Sequence, residues 1–371
     1  MSFLLQRKVS LVFMSLMLFC LYTAAAQTKV MQQNAHTAGK TENNIKNIKQ
    51  YIAKLWKDGK FSGSVLVANN GKILFHETCG YADKRFKVFN KPDTKFNLGS
   101  LNKSFTAVAI LQLAEEGKLG IDDTIGKYLD YFPKDIGGKV TIRQLLNMTS
   151  GWGDYWNNEY FEQHKDDLRS VGQYMKFIKD IPLDFAPGSR MQHSNIGFEV
   201  AGAIIEKVSG MDYFDYIREK IYKPCGMTNS GSFDRDGPAE NLAVGYTNNN
   251  DNGKADTNFN WENTYMLSPK GTPSGGGYST TEDMLKFDNA LRNGRLIGKD
   301  YINFMNNGFH GNIGDPFIAR RTLRSVGAAP GVCAFYASDM KDGFTIIVLS
   351  NYDPPVGIEA GNEIIKMLGL Q

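Results

Sequence analysis

The order of patterns along this sequence predicts an α+β fold: an antiparallel sheet flanked by helices, with a mostly helical insertion. Three observations carry the expectation. Strand-like runs lie at both ends of the chain, helix-like runs fill its middle, and the first helix leads straight into a hairpin instead of an alternating parallel unit. The simplest assembly pairs the N-terminal hairpin with the C-terminal strands in one sheet. Residues 125–265, approximately, then form the insertion, within one domain running from Glu42 to Gln371.

The first helix is read from Ile45, Ile48, Ile52 and Leu55, which recur at helical spacing up to Asp58-Gly59. Ser64 to Ala68 and Lys72 to Thr78 flank Asn69-Asn70-Gly71, turn residues that read as a hairpin. A helix begins at Ser100 and is broken by Gly117. Val140 to Met148 reads as another helix. Phe185-Ala186-Pro187-Gly188 makes a turn, Ile196 to Val208 a helix closed by Gly210, and Met211 to Tyr222 a helix stopped by Pro224. Asn248 to Lys254 reads as a polar loop. Thr280 or Thr281 is placed to cap a helix from Glu282 to Arg292. The tail gives strands Val332 to Ala337 and Phe344 to Ser350 around Asp342-Gly343, then a helix from Ile358 to Leu368.

With 371 residues, 42% hydrophobic and 22% charged, the chain is globular material and not a disordered one. Its formal charge of +3 gives no sign of a nucleic-acid partner. Arg7-Lys8, an apolar run from Val9 to Tyr22 and Ala24-Ala25-Ala26 follow the order of a secretory signal, which predicts export to the periplasm or the medium. Residues 27–41 read as a polar leader. No apolar run is long enough to predict a stable membrane span. Cys20 falls in the signal; Cys79, Cys225 and Cys333 are odd in number and far apart, so buried free thiols are expected instead of disulfides. The five histidines lack metal-ligand spacing, and no metal or cofactor is expected.

Chemistry enters with Ser100-Leu101-Asn102-Lys103. Residues three apart share a helix face, so a hydroxyl and an amine meet on the first turn. An amine kept neutral by burial can take the hydroxyl proton, and the free backbone donors of a helix start favour negative charge on an attacked carbonyl. On spacing alone, an N-cap serine followed by a solvated lysine reads equally well. The second copy, Ser338-Asp339-Met340-Lys341, runs into Asp342-Gly343 and reads as a turn. Trp152, Tyr155, Trp156, Tyr160 and Phe161 crowd one polar loop; they either tuck into the core or wall an apolar, ring-shaped ligand.

Taken together, several stretches resemble the serine β-lactamase-related superfamily, and within it the class C β-lactamase, D-alanyl-D-alanine carboxypeptidase and esterase-like group. They are Phe96 to Lys103, Leu145 to Gly151, Pro187-Gly188 with Ser194-Asn195, Gly276 to Thr280, and Pro330-Gly331 through Leu349-Ser350-Asn351. The resemblance implies a β-lactamase/transpeptidase-like fold with its site between sheet and helical region. It implies that Ser100 forms an acyl-enzyme, that Lys103 assists proton transfer, and that Asn195 holds the substrate's amide or ester. The oxyanion hole would use the backbone donors of Ser100 and Ala328.

Two positions depart from the pattern. His193 stands where Tyr-x-Asn has its tyrosine, and Ser325-Val326-Gly327 replaces a Lys or His, a small residue and Gly. An imidazole, whose ordinary pKa is about 6.5, exchanges protons near neutral pH, so His193 reads either as a catalytic group or as a loop histidine satisfied by backbone. Without a cation at Ser325, carboxylate binding would fall to Arg321 or Arg324, which otherwise read as a solvated strand edge.

The expectation is an exported serine hydrolase or acyltransferase. A small-molecule ester-type acyl donor would acylate Ser100, and the acyl group would pass to water or to a bulky apolar alcohol such as a sterol-like acceptor, with Trp152, Tyr155 and Trp156 contacting it. The alternatives are a cell-wall D,D-peptidase or β-lactamase, and a non-catalytic binding or sensing homologue. The sequence does not set the oligomeric state.

Overall fold

A computed structural model describes residues 41–248, 261–263, 266–313 and 322–370. The expected signal, nearly all of the leader, Cys20, Arg321 and most of the Asn248 to Lys254 loop lie outside the described residues.

Five strands form the central antiparallel sheet: β1 (Gly63–Asn69), β2 (Lys72–Cys79), β3 (Thr322–Ala329), β4 (Val332–Asp339) and β5 (Phe344–Ser350), in spatial order β2-β1-β5-β4-β3. The first and last parts of the chain therefore share one sheet: Val65 pairs with Val348 across β1 and β5, and Phe335 with Val348 across β4 and β5. Strand side chains alternate between faces, and both faces are covered. Val65 and Val67 point into a cluster with Ile48, Ile52, Ile364 and Ile365, from the helix at residues 41–57 (α1) and the C-terminal helix Val356–Leu368 (α5). Leu66 and Ala68 point the other way, toward Phe105 and Phe287.

Phe105 belongs to α2 (Lys103–Glu115), whose residues are buried almost all round from Lys103 to Leu113. An apolar helix with no polar face can only be central. Its Phe105 ring meets Tyr222 and Phe287 edge-on at 5.2 and 4.9 Å. Two more helices frame it. Helix α3 (Asn195–Ser209) starts at Ser194, whose hydroxyl accepts the Gly197 N–H, and ends at Gly210 in the left-handed region, φ +70°. Helix α4 (Thr281–Arg292) is capped by Thr280, which accepts the Asp283 N–H at 3.1 Å.

Some elements are shorter than the sequence suggests. The helix expected from Val140 spans Ile142–Leu146, because Thr141 and Gln144 close a capping box in front of it. Its far end is set by Met148, which adopts φ +59°. The helix expected over Met211 to Tyr222 divides into Tyr213–Ile217 and a π-helical turn, Arg218–Tyr222. Cys225 and Cys333 are buried free thiols, and Cys79 is a free, half-buried one.

Candidate active site

Ser100 sits in a 3-10 turn, Gly99–Asn102, that runs directly into α2. The turn is pressed onto the edge strand β3. A side chain on Gly327 would meet the Leu98 carbonyl oxygen at 1.8 Å, so only glycine lets strand and turn come this close. Gly99, at φ +50°, faces the Ala328 backbone nitrogen; a Cβ there would lie 3.0 Å from it. The backbone N–H groups of Ser100 and Ala328 thus belong to two segments held in contact.

Lys103 is buried one turn on, 5% exposed, and its Nζ is 3.0 Å from Ser100 Oγ. It donates to Asn195 Oδ1 at 2.6 Å and to the Ser274 carbonyl oxygen. Burial pushes its pKa down to about 7, against an upward pull from Glu199 and Asp154. A substantial neutral fraction at neutral pH is what a lysine needs to accept a hydroxyl proton.

His193 lies just ahead of α3, and its Nε2 is 3.5 Å from Ser100 Oγ. Its Nδ1 faces Asp154 Oδ2 at 3.4 Å, and the other oxygen of that carboxylate accepts the Asn195 backbone N–H at 3.0 Å. Burial works to raise the Asp154 pKa, but the bonds to His193 and Asn195 outweigh it and hold the carboxyl below its ordinary value.

A cavity of about 290 Å³ opens over these groups, lined by Ser100, Tyr155, Trp156, His193, Asn195, Leu267, Lys270, Val326 and Ala328 among others. A second cavity of about 500 Å³ lies on the other side of Lys103, and Ser104, Phe198, Met305, Phe309, Arg324 and Ser325 line it.

Ser100, Lys103, His193 and Asn195 therefore converge as the sequence suggests, with Tyr155, Trp156 and Ala328 around them. Trp152 does not join them. It is buried in the core, its ring nitrogen donating to the Ile181 carbonyl at 3.0 Å, so it is no part of a ligand wall. Ser325 accepts a bond from Ser104 Oγ at 3.1 Å and lines the second cavity, as Arg324 does, so neither faces the Ser100 cavity. Gly327 contributes the close approach of backbone and no lining of its own.

Three participants carry no motif of their own in the sequence. Asp154 sits in the aromatic loop between Trp152 and Tyr155, a lone carboxylate among rings, which was the available signal. Ser274 contributes a backbone carbonyl, which no side-chain pattern reports. Glu199, one turn after Asn195 in α3, is fully buried; burial raises its pKa against hydrogen bonds from Ser274 and Thr272. Lys103 and Glu199 are thus both biased toward their neutral forms.

A serine at the start of a buried helix, a lysine under it, and a sheet edge closing over both are the arrangement of a serine enzyme on a β-lactamase/transpeptidase-like fold. The beta-lactamase family profile matches residues 48–366, and the chain belongs to that family. PbpX of Bacillus subtilis (strain 168), named as a penicillin-binding protein, is 33% identical over 347 residues, 90% of this chain and 82% of that one. A second penicillin-binding protein of the same organism is 34% identical over 265 residues, 70% of this chain; the chain spans 58% of that relative's length. Among solved structures, the penicillin binding protein from Bacillus halodurans superposes with a TM-score of 0.73 at 29% identity, covering 84% of this chain and 98% of that one. EstCE1, a hydrolase with promiscuous acyltransferase activity, shares the fold with a TM-score of 0.72 at 19% identity, over 88% of this chain and 99% of that one.

Proposed function

We propose that this chain is a serine acyl-enzyme hydrolase of the penicillin-binding type, acylated at Ser100 by a peptidyl or β-lactam carbonyl and deacylated by water. The observation that carries the proposal is the buried Lys103 amine held 3.0 Å from the Ser100 hydroxyl. Similarity to PbpX across most of both chains supports the choice of donor class. In the proposed sequence, Ser100 Oγ bonds to the donor carbonyl as its proton passes to Lys103 or His193. The backbone N–H groups of Ser100 and Ala328 take the oxyanion. The leaving group collects the proton, and water reverses the sequence on the ester. Asn195, fixed by Lys103, is placed to hold the donor's amide.

A second reading, ester hydrolysis or acyl transfer to an apolar alcohol, is favoured by one observation. The strand position that would carry a carboxylate-binding cation is the neutral Ser325, while Tyr155, Trp156 and Leu267 give the cavity apolar walls.

Intact-protein mass spectrometry after incubation with benzylpenicillin, a D-alanyl-D-alanine peptide and aryl esters separates them. The proposal expects a Ser100 adduct with the lactam or release of D-alanine. Adducts with esters alone, plus acylated alcohol when a sterol-like alcohol is supplied, would replace it with the second reading.

A further inference from the structure

We infer that Asp154 is a positioning residue that fixes the tautomer of His193, so that the imidazole receives the Ser100 proton in a Ser–His–Asp line set beside Lys103. The inference rests on the reading of Ser100 as nucleophile given above and adds a second proton route to it.

The argument is one of hydrogen-bond inventory. Both ring nitrogens of His193 are engaged, Nε2 toward Ser100 Oγ at 3.5 Å and Nδ1 toward Asp154 Oδ2 at 3.4 Å. An ionised carboxylate only accepts, so Nδ1 carries the proton and Nε2 presents its lone pair to the hydroxyl. Contacts of this length commonly tighten when substrate fills the site. The carboxylate is itself oriented, because its Oδ1 accepts the Asn195 N–H at 3.0 Å at the very start of α3. The Asn195 side chain in turn accepts from Lys103, and Lys103 reaches Ser100. The five residues close a ring in which one carboxylate steadies both groups that meet the nucleophile.

Lys103 has its own inventory. Its bonds to Asn195 Oδ1 and the Ser274 carbonyl use both protons of a neutral amine, leaving the lone pair for Ser100. Once the amine is charged, its third proton points at Oγ and it cannot accept. Ser100 can then lose its proton only to His193. In that route the Oγ–C bond forms and the proton passes to Nε2. The imidazolium rests against Asp154, and the bond to the leaving group breaks as that group takes the proton from Nε2. The titratable groups around the ring are Asp154 and Tyr155 on its own side, Lys103 beyond Ser100 with Glu199 acting on it, and Lys270 across the cavity.

The test variant is Asp154→Asn, which retains an oxygen for the Asn195 N–H while offering Nδ1 an amide donor. Nitrogen-15 NMR of the histidine rings in the full chain, with the His193→Gln variant assigning the signal, should show the Nδ1–H tautomer in the wild type and Nε2–H in Asp154→Asn. On a fluorogenic aryl ester, Asp154→Asn should lower kcat by about 100-fold with KM little changed. The remaining activity should move to higher pH, where Lys103 is neutral, and Asp154→Glu should recover part of the loss. In a His193→Ala background, Asp154→Asn should cost nothing more. An Nε2–H tautomer in the wild type, the same tautomer in both proteins, or an undiminished loss without the imidazole would overturn the inference. A wild type that turns over no ester and takes no acyl label fails the acyl-enzyme reading instead, with the tautomer still read from the NMR.

Discussion

Ser100 to Lys103 and Ser338 to Lys341 are the same four-residue spacing in two places, and the fold treats them in opposite ways. In the first, α2 buries the lysine and three different segments of chain meet its amine. In the second, Ser338 lies one residue before the end of the fully buried β4, with its hydroxyl toward Met340 Sδ at 3.6 Å. Asp339 there spends its carboxylate on the Lys341 and Asp342 N–H groups at 2.9 and 2.7 Å, and Lys341 itself is exposed. The spacing is thus inert until tertiary structure dries the amine and supplies acceptors for it.

The largest break in that comparison is at the first copy. Ser100→Ala should abolish turnover of any acyl donor and Lys103→Ala should remove most of it, both measured as initial rates on the same ester; a Lys103→Ala enzyme of near-normal rate would mean that drying the amine is not what distinguishes the two copies. Next, His193→Ala should cost on the order of 100-fold in kcat, the ordinary size of an acid-base contribution. A loss of less than a few-fold would return that ring to a loop role.

A third test reads the desolvation of Lys103 without any substrate. Burial takes its pKa from an ordinary 10.5 down to about 7. The unfolded chain therefore binds the extra proton between those values, and folded-state stability rises with pH across that window and is least below it. Lys103→Met should flatten this part of the stability profile, by a few kcal/mol between its ends at most. Chemical denaturation of both proteins at pH 6.5 and 9.5 measures it, and identical slopes would show that the amine is not desolvated. The smallest effect belongs to the second copy. Lys341→Ala should leave turnover unchanged and stability within about 0.5 kcal/mol, as an exposed turn residue does.

Much of this molecule could be read in advance because its signals are local. The hairpin before Lys72, the Thr280 cap and the Gly210 stop each depend on neighbours a few residues away, and each stands where the pattern puts it. The joining of the first hairpin to the last strands followed from chain order and the need to cover a sheet. What escaped was decided across long separations. Trp152 looks like ligand wall in a polar loop, but the Ile181 carbonyl and the surrounding core absorb it. Asp154 gains meaning only when α3 brings His193 and Asn195 against it, and Ser274 acts through backbone that carries no sequence label.

The pairing of β1 with β5 also sets a schedule. Gly63 has no partner on its inner side until Ser350 arrives, so the middle of the sheet closes only when strands far along the chain reach it. A chain stopped before β4 and β5 would keep the helices around α2 but leave β1 without its inner neighbour and β3 without the strand it pairs with, and contacts between segments far apart in sequence make assembly slow. The edge strand that carries Ala328 is joined to the first hairpin only through β4 and β5, so that side of the cavity depends on pairing between segments far apart in sequence.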